Sequence, residues 1–249
     1  LAPDYDYLDR RFRISIDASL SNIIDSSHVD RGSNIDTPVG QPEESYGKWG
    51  LENKIDIALY NKYHRFVLTP YMLYTRQDDE YLNNLLRGTL LYDYNLSETY
   101  KPYNKIQYET VVASVDDLRP SLLRETAGVS AAYKYINAKL GLGFEKKVQD
   151  PVDDPVYGLE FIVNANYPIL ENLIYSLDLD SFSAVNGGGG DRWEIRSSIE
   201  NALSVPLNAY LSISLRHRYF YLYESEIGQE YHNSEFITSF DLKTGWKIW

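Results

Sequence analysis

The stretch Asn208-Ala209-Tyr210-Leu211-Ser212-Ile213-Ser214-Leu215-Arg216-His217-Arg218-Tyr219-Phe220-Tyr221-Leu222-Tyr223 decides the fold. Its odd positions read Ala209, Leu211, Ile213, Leu215, His217, Tyr219 and Tyr221. Its even positions include Ser212, Ser214, Arg216 and Arg218. A β-strand sends alternate side chains to opposite faces, so this segment has one apolar and one polar face. A helix would need apolar spacings of three and four and cannot segregate these residues.

The same period of two recurs outward in both directions. Phe12, Ile14, Ile16, Ala18 and Leu20 alternate with Arg13, Ser15, Asp17 and Ser19. Phe66, Leu68, Pro70, Met72 and Tyr74 alternate with Arg65, Thr69 and Thr75. Phe236, Phe240, Leu242, Trp246 and Ile248 alternate with Asp241, Lys243 and Lys247. In all, the pattern predicts twelve strands. The connections alternate as well. Long polar stretches fall at His28–Tyr46, Gln77–Asn84, Asp116–Glu125, Val148–Pro155, Asn186–Asp191 and Glu224–Asn233. Short ones fall at Asn61-Lys62, Leu96–Pro102, around Asn137, at Ile169–Asn172 and at Pro206-Leu207.

Composition narrows the classes. The 249 residues contain no cysteine, which excludes a disulfide framework and thiolate chemistry. A net charge of −12 argues against binding to a nucleic-acid backbone, which needs clustered Lys and Arg. No run of 18 apolar residues is present, so no transmembrane helix is expected. The 23 tyrosines and four tryptophans recur near the ends of the apolar faces, as at Trp49, Tyr74, Tyr92, Tyr94, Tyr133, Tyr135, Tyr157, Tyr167, Trp193, Tyr219, Tyr221 and Trp246. Rings with one polar tip suit the two water interfaces of a membrane.

An even number of amphipathic strands with alternating short and long connections resembles the bacterial outer-membrane β-barrels, small twelve-stranded porin or channel barrels in particular. The resemblance covers Arg11 to Trp249 and implies an all-β, twelve-stranded antiparallel transmembrane barrel in the outer membrane. The domains are then an N-terminal periplasmic segment, 1–10, and the barrel, 11–249. The polar faces would line the pore. Their basic residues are Arg13, Lys54, Arg65, Arg87, Lys105, Lys134, Lys139, Arg196, Arg216, Arg218, Lys243 and Lys247. Their acidic residues are Asp17, Glu52, Asp56, Asp93, Glu109, Glu145, Glu160, Asp178, Asp180, Glu194, Glu200 and Asp241. Twelve against twelve gives a charge-balanced lumen, and the acidic excess falls to the loops, at Asp30, Asp36, Glu43, Glu44, Asp78, Asp79, Glu80, Asp116, Asp117, Asp150, Asp153, Asp154, Glu224, Glu226 and Glu230.

The implied function is passive passage of small polar or charged solutes, with weak ion selectivity. The implied partners are outer-membrane lipid and lipopolysaccharide, with a periplasmic partner for the acidic-aromatic segment Leu1–Asp9. Neither cofactor nor metal is expected. Gly187–Gly190 has the glycine count of a phosphate cradle but lacks the following Lys-Ser/Thr, and reads as a hairpin tip. Two alternatives belong to other classes. His232-Asn233-Ser234 resembles the His-x-Ser pair that outer-membrane phospholipases place on a lipid-facing strand, with Asn22 or Asp25 as a third member after barrel closure. A plugged barrel would instead serve a structural or assembly role, anchoring an export or electron-transfer complex.

Overall fold

A computed structural model describes residues 12–32, 41, 46–77, 80–97, 99–111, 121–148, 155–186, 194–224 and 228–248. The N-terminal segment 1–10, the run Gly187–Gly190, Trp193 and most of the loop carboxylates lie outside the described residues. The chain forms twelve strands: β1 (Arg13–Arg31), β2 (Tyr46–Tyr60), β3 (His64–Gln77), β4 (Glu80–Tyr94), β5 (Tyr100–Val111), β6 (Ser121–Tyr133), β7 (Ile136–Lys147), β8 (Val156–Leu170), β9 (Leu173–Asn186), β10 (Glu194–Pro206), β11 (Leu211–Glu224) and β12 (Gln229–Ile248). Each pairs antiparallel with its neighbours in sequence. β1 pairs with β12 from Ile14↔Ile248 to Arg31↔Tyr231, closing the barrel and leaving no sheet edge.

The outer face is the apolar one. Ile14, Leu20, Leu51, Leu59, Leu68, Leu90, Leu140, Leu159, Leu203, Leu215, Phe240 and Leu242 all project outward and are exposed, Leu142 by 70%. Water would be a poor solvent for such a continuous wall, and a hydrocarbon layer is a good one. Aromatic rings flank this band at both levels. Near the strand ends that carry Arg13 and Trp246, Tyr135 meets Tyr167 edge-on at 5.3 Å. There His64 Nδ1 and the Tyr92 hydroxyl lie 3.0 Å apart. Toward the other end stand Trp49, Tyr157, Tyr219 and Tyr221. The barrel is therefore of the transmembrane, outer-membrane type.

The strands overrun the segments that sequence patterning assigns to them. About 9–11 residues cross a bilayer, yet β1 has 19 residues and β12 has 20. On β1 the outward side chains up to Ile24 are apolar except Asn22, and then turn polar at Ser26, His28 and Asp30. The long stretch at Gln77–Asn84 shrinks to residues 78–79, and the one at Glu224–Asn233 to 225–228. Asp30, Glu224 and Glu230, expected in loops, are strand residues. Polar sequence continues a strand here because the backbone still pairs with a neighbour whatever the side chains are: residues 80–84 with β3, and 229–230 with β11. Proline leaves one visible mark. The β2–β3 ladder lapses opposite Thr69 and Pro70, where Pro70 has no N–H to donate. Asp56 fills the gap by accepting from Thr69 Oγ1 at 2.6 Å.

Candidate functional site

The lumen has two unlike halves. The half at the turn end, where residues 61–63, 134–135 and 171–172 connect strands, is wet. The Lys54 and Arg65 side chains there are 52% and 50% exposed. A polar cavity of about 760 Å³ occupies the side formed by β8–β12, β1 and β2. Its wall carries the carboxylates Asp17, Glu52, Asp56, Asp178, Glu200 and Asp241, the cations Lys54, Arg216 and Lys243, and hydroxyls including Ser19, Ser21, Ser176, Ser204 and Ser214. Asp17 and Asp56 stand directly opposite each other on β1 and β2. The volume and the mixture of donors and acceptors suit a small hydrated solute.

The half at the loop end is dry and crossed by ion pairs. Arg124 on β6, 4% exposed, reaches Glu145 on β7, Asp180 on β9 at 2.9 Å and Glu160 on β8 at 3.4 Å. Lys105 on β5 pairs with the same Glu160 and, at 3.4 Å, with Asp180. Tyr103 donates its hydroxyl to Glu160 at 3.3 Å. On the opposite wall, at the boundary with the cavity, the cavity residues Arg216 and Glu52 meet at 2.6 Å, and Arg218 meets the cavity residue Glu200 at 2.7 Å and Glu235 at 3.4 Å. The Arg216–Glu52 chord runs from β11 to β2 across the width of β12 and β1. Lys48 is shared by Asp25 at 3.1 Å and Glu235 at 3.4 Å, all three buried. Charges removed from water this far survive only when paired, so these chords hold their strands in place.

Apolar side chains also project inward, on the face that the sequence pattern reserves for polar ones. Ile23, Leu73, Leu85 and Ile237 form one cluster inside the barrel with Tyr71 against it. Phe220, Leu222 and Tyr231 form another with Val29. The inward positions of β1 thus climb through unlike layers: Ser21 at the cavity, Ile23 in the first cluster, Asp25 on Lys48, Ser27 on Asn233 at 2.6 Å, and Val29 in the second cluster. Asn233 also donates to Gln41 at 3.0 Å, so the β1–β2 connection contributes a side chain inside the mouth.

The expected pore residues fall as follows. Lys54, Arg65, Arg87, Asp93, Lys105, Glu109, Lys139, Glu145, Glu160, Asp178, Asp180, Glu194, Arg196, Glu200, Arg216, Arg218, Asp241 and Lys243 project inward, with Asp17, Glu52 and Asp56. Arg13 and Lys247 sit at the exposed turn-end mouth. Lys134 does not line the lumen. It has a positive φ of 48° in the β6–β7 turn, and its ammonium lies 5.4 Å from the Tyr133 ring centroid. Period-two reading missed Arg124, placing it in a loop, and passed over Asp25, Lys48 and Glu235. Extending the apolar runs by one residue, for Lys48 and Glu235, or five, for Asp25 and Arg124, would have captured each of them.

The His-x-Ser pair is rearranged. His232 and Ser234 both face outward on β12, but their partners are other residues. Ser234 Oγ lies 3.0 Å from His217 Nε2 on β11. His232 is held by Tyr219 and, at 2.8 Å, by Glu230. Asp25 cannot act as a third member, because it points into the lumen against Lys48. Asn22 faces outward opposite Phe240, several residues from Ser234. Among the described residues no group of three or more His, Asp or Glu is disposed to hold a metal ion.

No protein family matches the chain, and no curated protein matches it by sequence. Several solved structures resemble its shape. The NanC porin is 10% identical, with a TM-score of 0.49 over 88% of this chain and 98% of its own. The translocator domain of the autotransporter NalP from Neisseria meningitidis is 8% identical, with a TM-score of 0.48 over 94% and 91%. The outer-membrane channel DcaP of Acinetobacter baumannii is 8% identical, with a TM-score of 0.42 over 94% and 96%. Likenesses at this level are of barrel architecture and carry no argument about function.

Proposed function

We propose that this protein is an outer-membrane channel for small polar or charged solutes, described here in a closed state. In this reading the short turns face the periplasm, and the wet half of the lumen is the periplasmic vestibule. The long connections meet lipopolysaccharide. The observation that supports it most is the 760 Å³ cavity, whose wall bears ionised groups of both signs and ends at mid-barrel. A barrel built only as an anchor has no need for a solvated, charged cavity along half its length. Carboxylates outnumber cations on that wall, which favours a mild preference for cations over the weak selectivity of a fully balanced lumen. Reconstitution in planar bilayers tests the proposal. Discrete current steps are expected, and their absence at every voltage would refute a channel.

A second reading rests on the dry half. Buried ion pairs linking non-adjacent strands make a stiff, filled barrel, which suits a structural or assembly role with partners at either mouth. That reading requires no current from any variant that leaves the barrel folded.

A further inference from the structure

We infer that the Ile23–Leu73–Leu85–Ile237 layer is the gate of the lumen, and that Tyr71 is the positioning residue that ties it to the vestibule; the inference rests on the channel reading above. Three observations meet at this level. First, the cavity stops beneath the layer. Its wall includes Ser21 on β1, Glu52 on β2 and Asp241 on β12. The next inward residues up these strands are Ile23, Gly50 and Ser239, all buried. Second, the four side chains of the layer are apolar and buried, although polar groups flank them in register: Ser239 opposite Ile23, Asp25 and Arg216 opposite Ile237, and Glu52 opposite Leu73. Ile23 and Ile237 are fully buried, Leu73 and Leu85 nearly so. Third, β2 lends no side chain there. A Cβ at Gly50 would fall 2.2 Å from the Tyr74 carbonyl oxygen, so only glycine fits, and the cluster arches over β2 from β12 and β1 to β3 and β4.

Apolar constrictions close channels by excluding water, and they reopen when side-chain rotamers withdraw or when the gap is made polar. The far wall is a poorer route. A solute passing there would separate Arg124 from Glu145 and Glu160, leaving buried charges without partners. Moving an isoleucine strands no polar group. Tyr71 connects the two storeys. Its ring packs against the layer, and its hydroxyl donates to Glu52 Oε1 at 2.9 Å. Glu52 lines the cavity and pairs with Arg216. A charged solute engaging Arg216 or Glu52 would therefore disturb the group that holds Tyr71 against the gate.

The absence of native cysteine makes the test clean. Single cysteines are placed at Ser19, below the layer, and at Ser27, above it. The protein is oriented in liposomes, and a membrane-impermeant cationic thiol reagent is supplied from the turn end. Ser19→Cys is expected to react quickly, and Ser27→Cys at least tenfold more slowly. Ile23→Ala/Ile237→Ala in the Ser27→Cys background should remove most of that difference and increase mean current severalfold in bilayers. Tyr71→Phe, which keeps the ring and loses the hydrogen bond, should raise the frequency of openings without changing their amplitude. Heat-modifiable gel mobility confirms that each variant is folded. If the wild type conducts and neither the alanine pair nor Tyr71→Phe alters the current, the gate is refuted and the channel stands. If Arg124→Met opens the barrel and the alanine pair does not, the gate lies on the other wall. If no folded variant passes current, and Ser27→Cys stays unreactive throughout, the channel reading falls and the gate with it.

Discussion

Arg124 shows how one residue holds a barrel wall together. Its guanidinium serves three carboxylates on three other strands while almost wholly shielded from water. Removing it leaves Glu145 and Glu160 buried and short of a partner, a loss on the order of 3–5 kcal/mol for a buried pair broken from one side. Arg124→Met is expected to lower the urea midpoint of unfolding in detergent clearly. Arg124→Lys should recover only part of the loss, since a single ammonium cannot fork to several acceptors. Ser234 makes the opposite case. It bonds to His217 at 3.0 Å on the outward face, and among the described residues neither an orienting carboxylate nor an oxyanion donor stands beside it. Incubated with phospholipid vesicles, the wild type and Ser234→Ala are both expected to release no more fatty acid than empty vesicles do. Release by the wild type that the substitution abolishes would make the protein a hydrolase.

At the scale of the strand, what matters is which face a side chain takes and how deep it sits. Leu140 on β7 and Ser26 on β1 both point outward, but Leu140 stands in the apolar band and Ser26 above it. An arginine at the bilayer midplane of such a barrel costs about 2–4 kcal/mol and near the interface about 0–1. Leu140→Arg should therefore destabilise the folded barrel in lipid strongly, and Ser26→Arg should be close to neutral, as read by reversible unfolding in liposomes. Equal effects would mean that the band is misplaced. Strand identity was legible from alternation alone: the twelve strands fall where the runs headed by Phe12, Phe66 and Leu211 predict them. Strand length was not. Gln77–Asn84 and Glu224–Asn233 look like loops because their side chains are polar, but their backbone still pairs across the hairpin, Gln77 with Glu80 and Glu224 with Gln229. Side-chain polarity is then a weak guide to where pairing stops.

At the scale of the whole molecule, the charge on the vestibule wall should set ion preference. Asp17 and Asp56 face each other at the mouth of the cavity without an arginine between them. Asp17→Lys/Asp56→Lys reverses both charges at that level, from negative to positive, and is expected to shift the reversal potential in a salt gradient toward anion selectivity. The same exchange at the dry end, where Asp25 is locked to Lys48, should cost folding before it changes selectivity.

Alternation along the chain carried strand number, antiparallel order, the outward apolar face and most of the inward polar residues. All of these follow from a period of two and from short-range connections. Barrel closure, and no local pattern, puts a polar cavity toward one end of the lumen and buried ion pairs and apolar clusters toward the other. Whether Ile23 meets Ile237, or Arg124 meets Asp180, depends on how closure brings distant strands to one level. That level is set by register around the whole barrel, which no local pattern encodes.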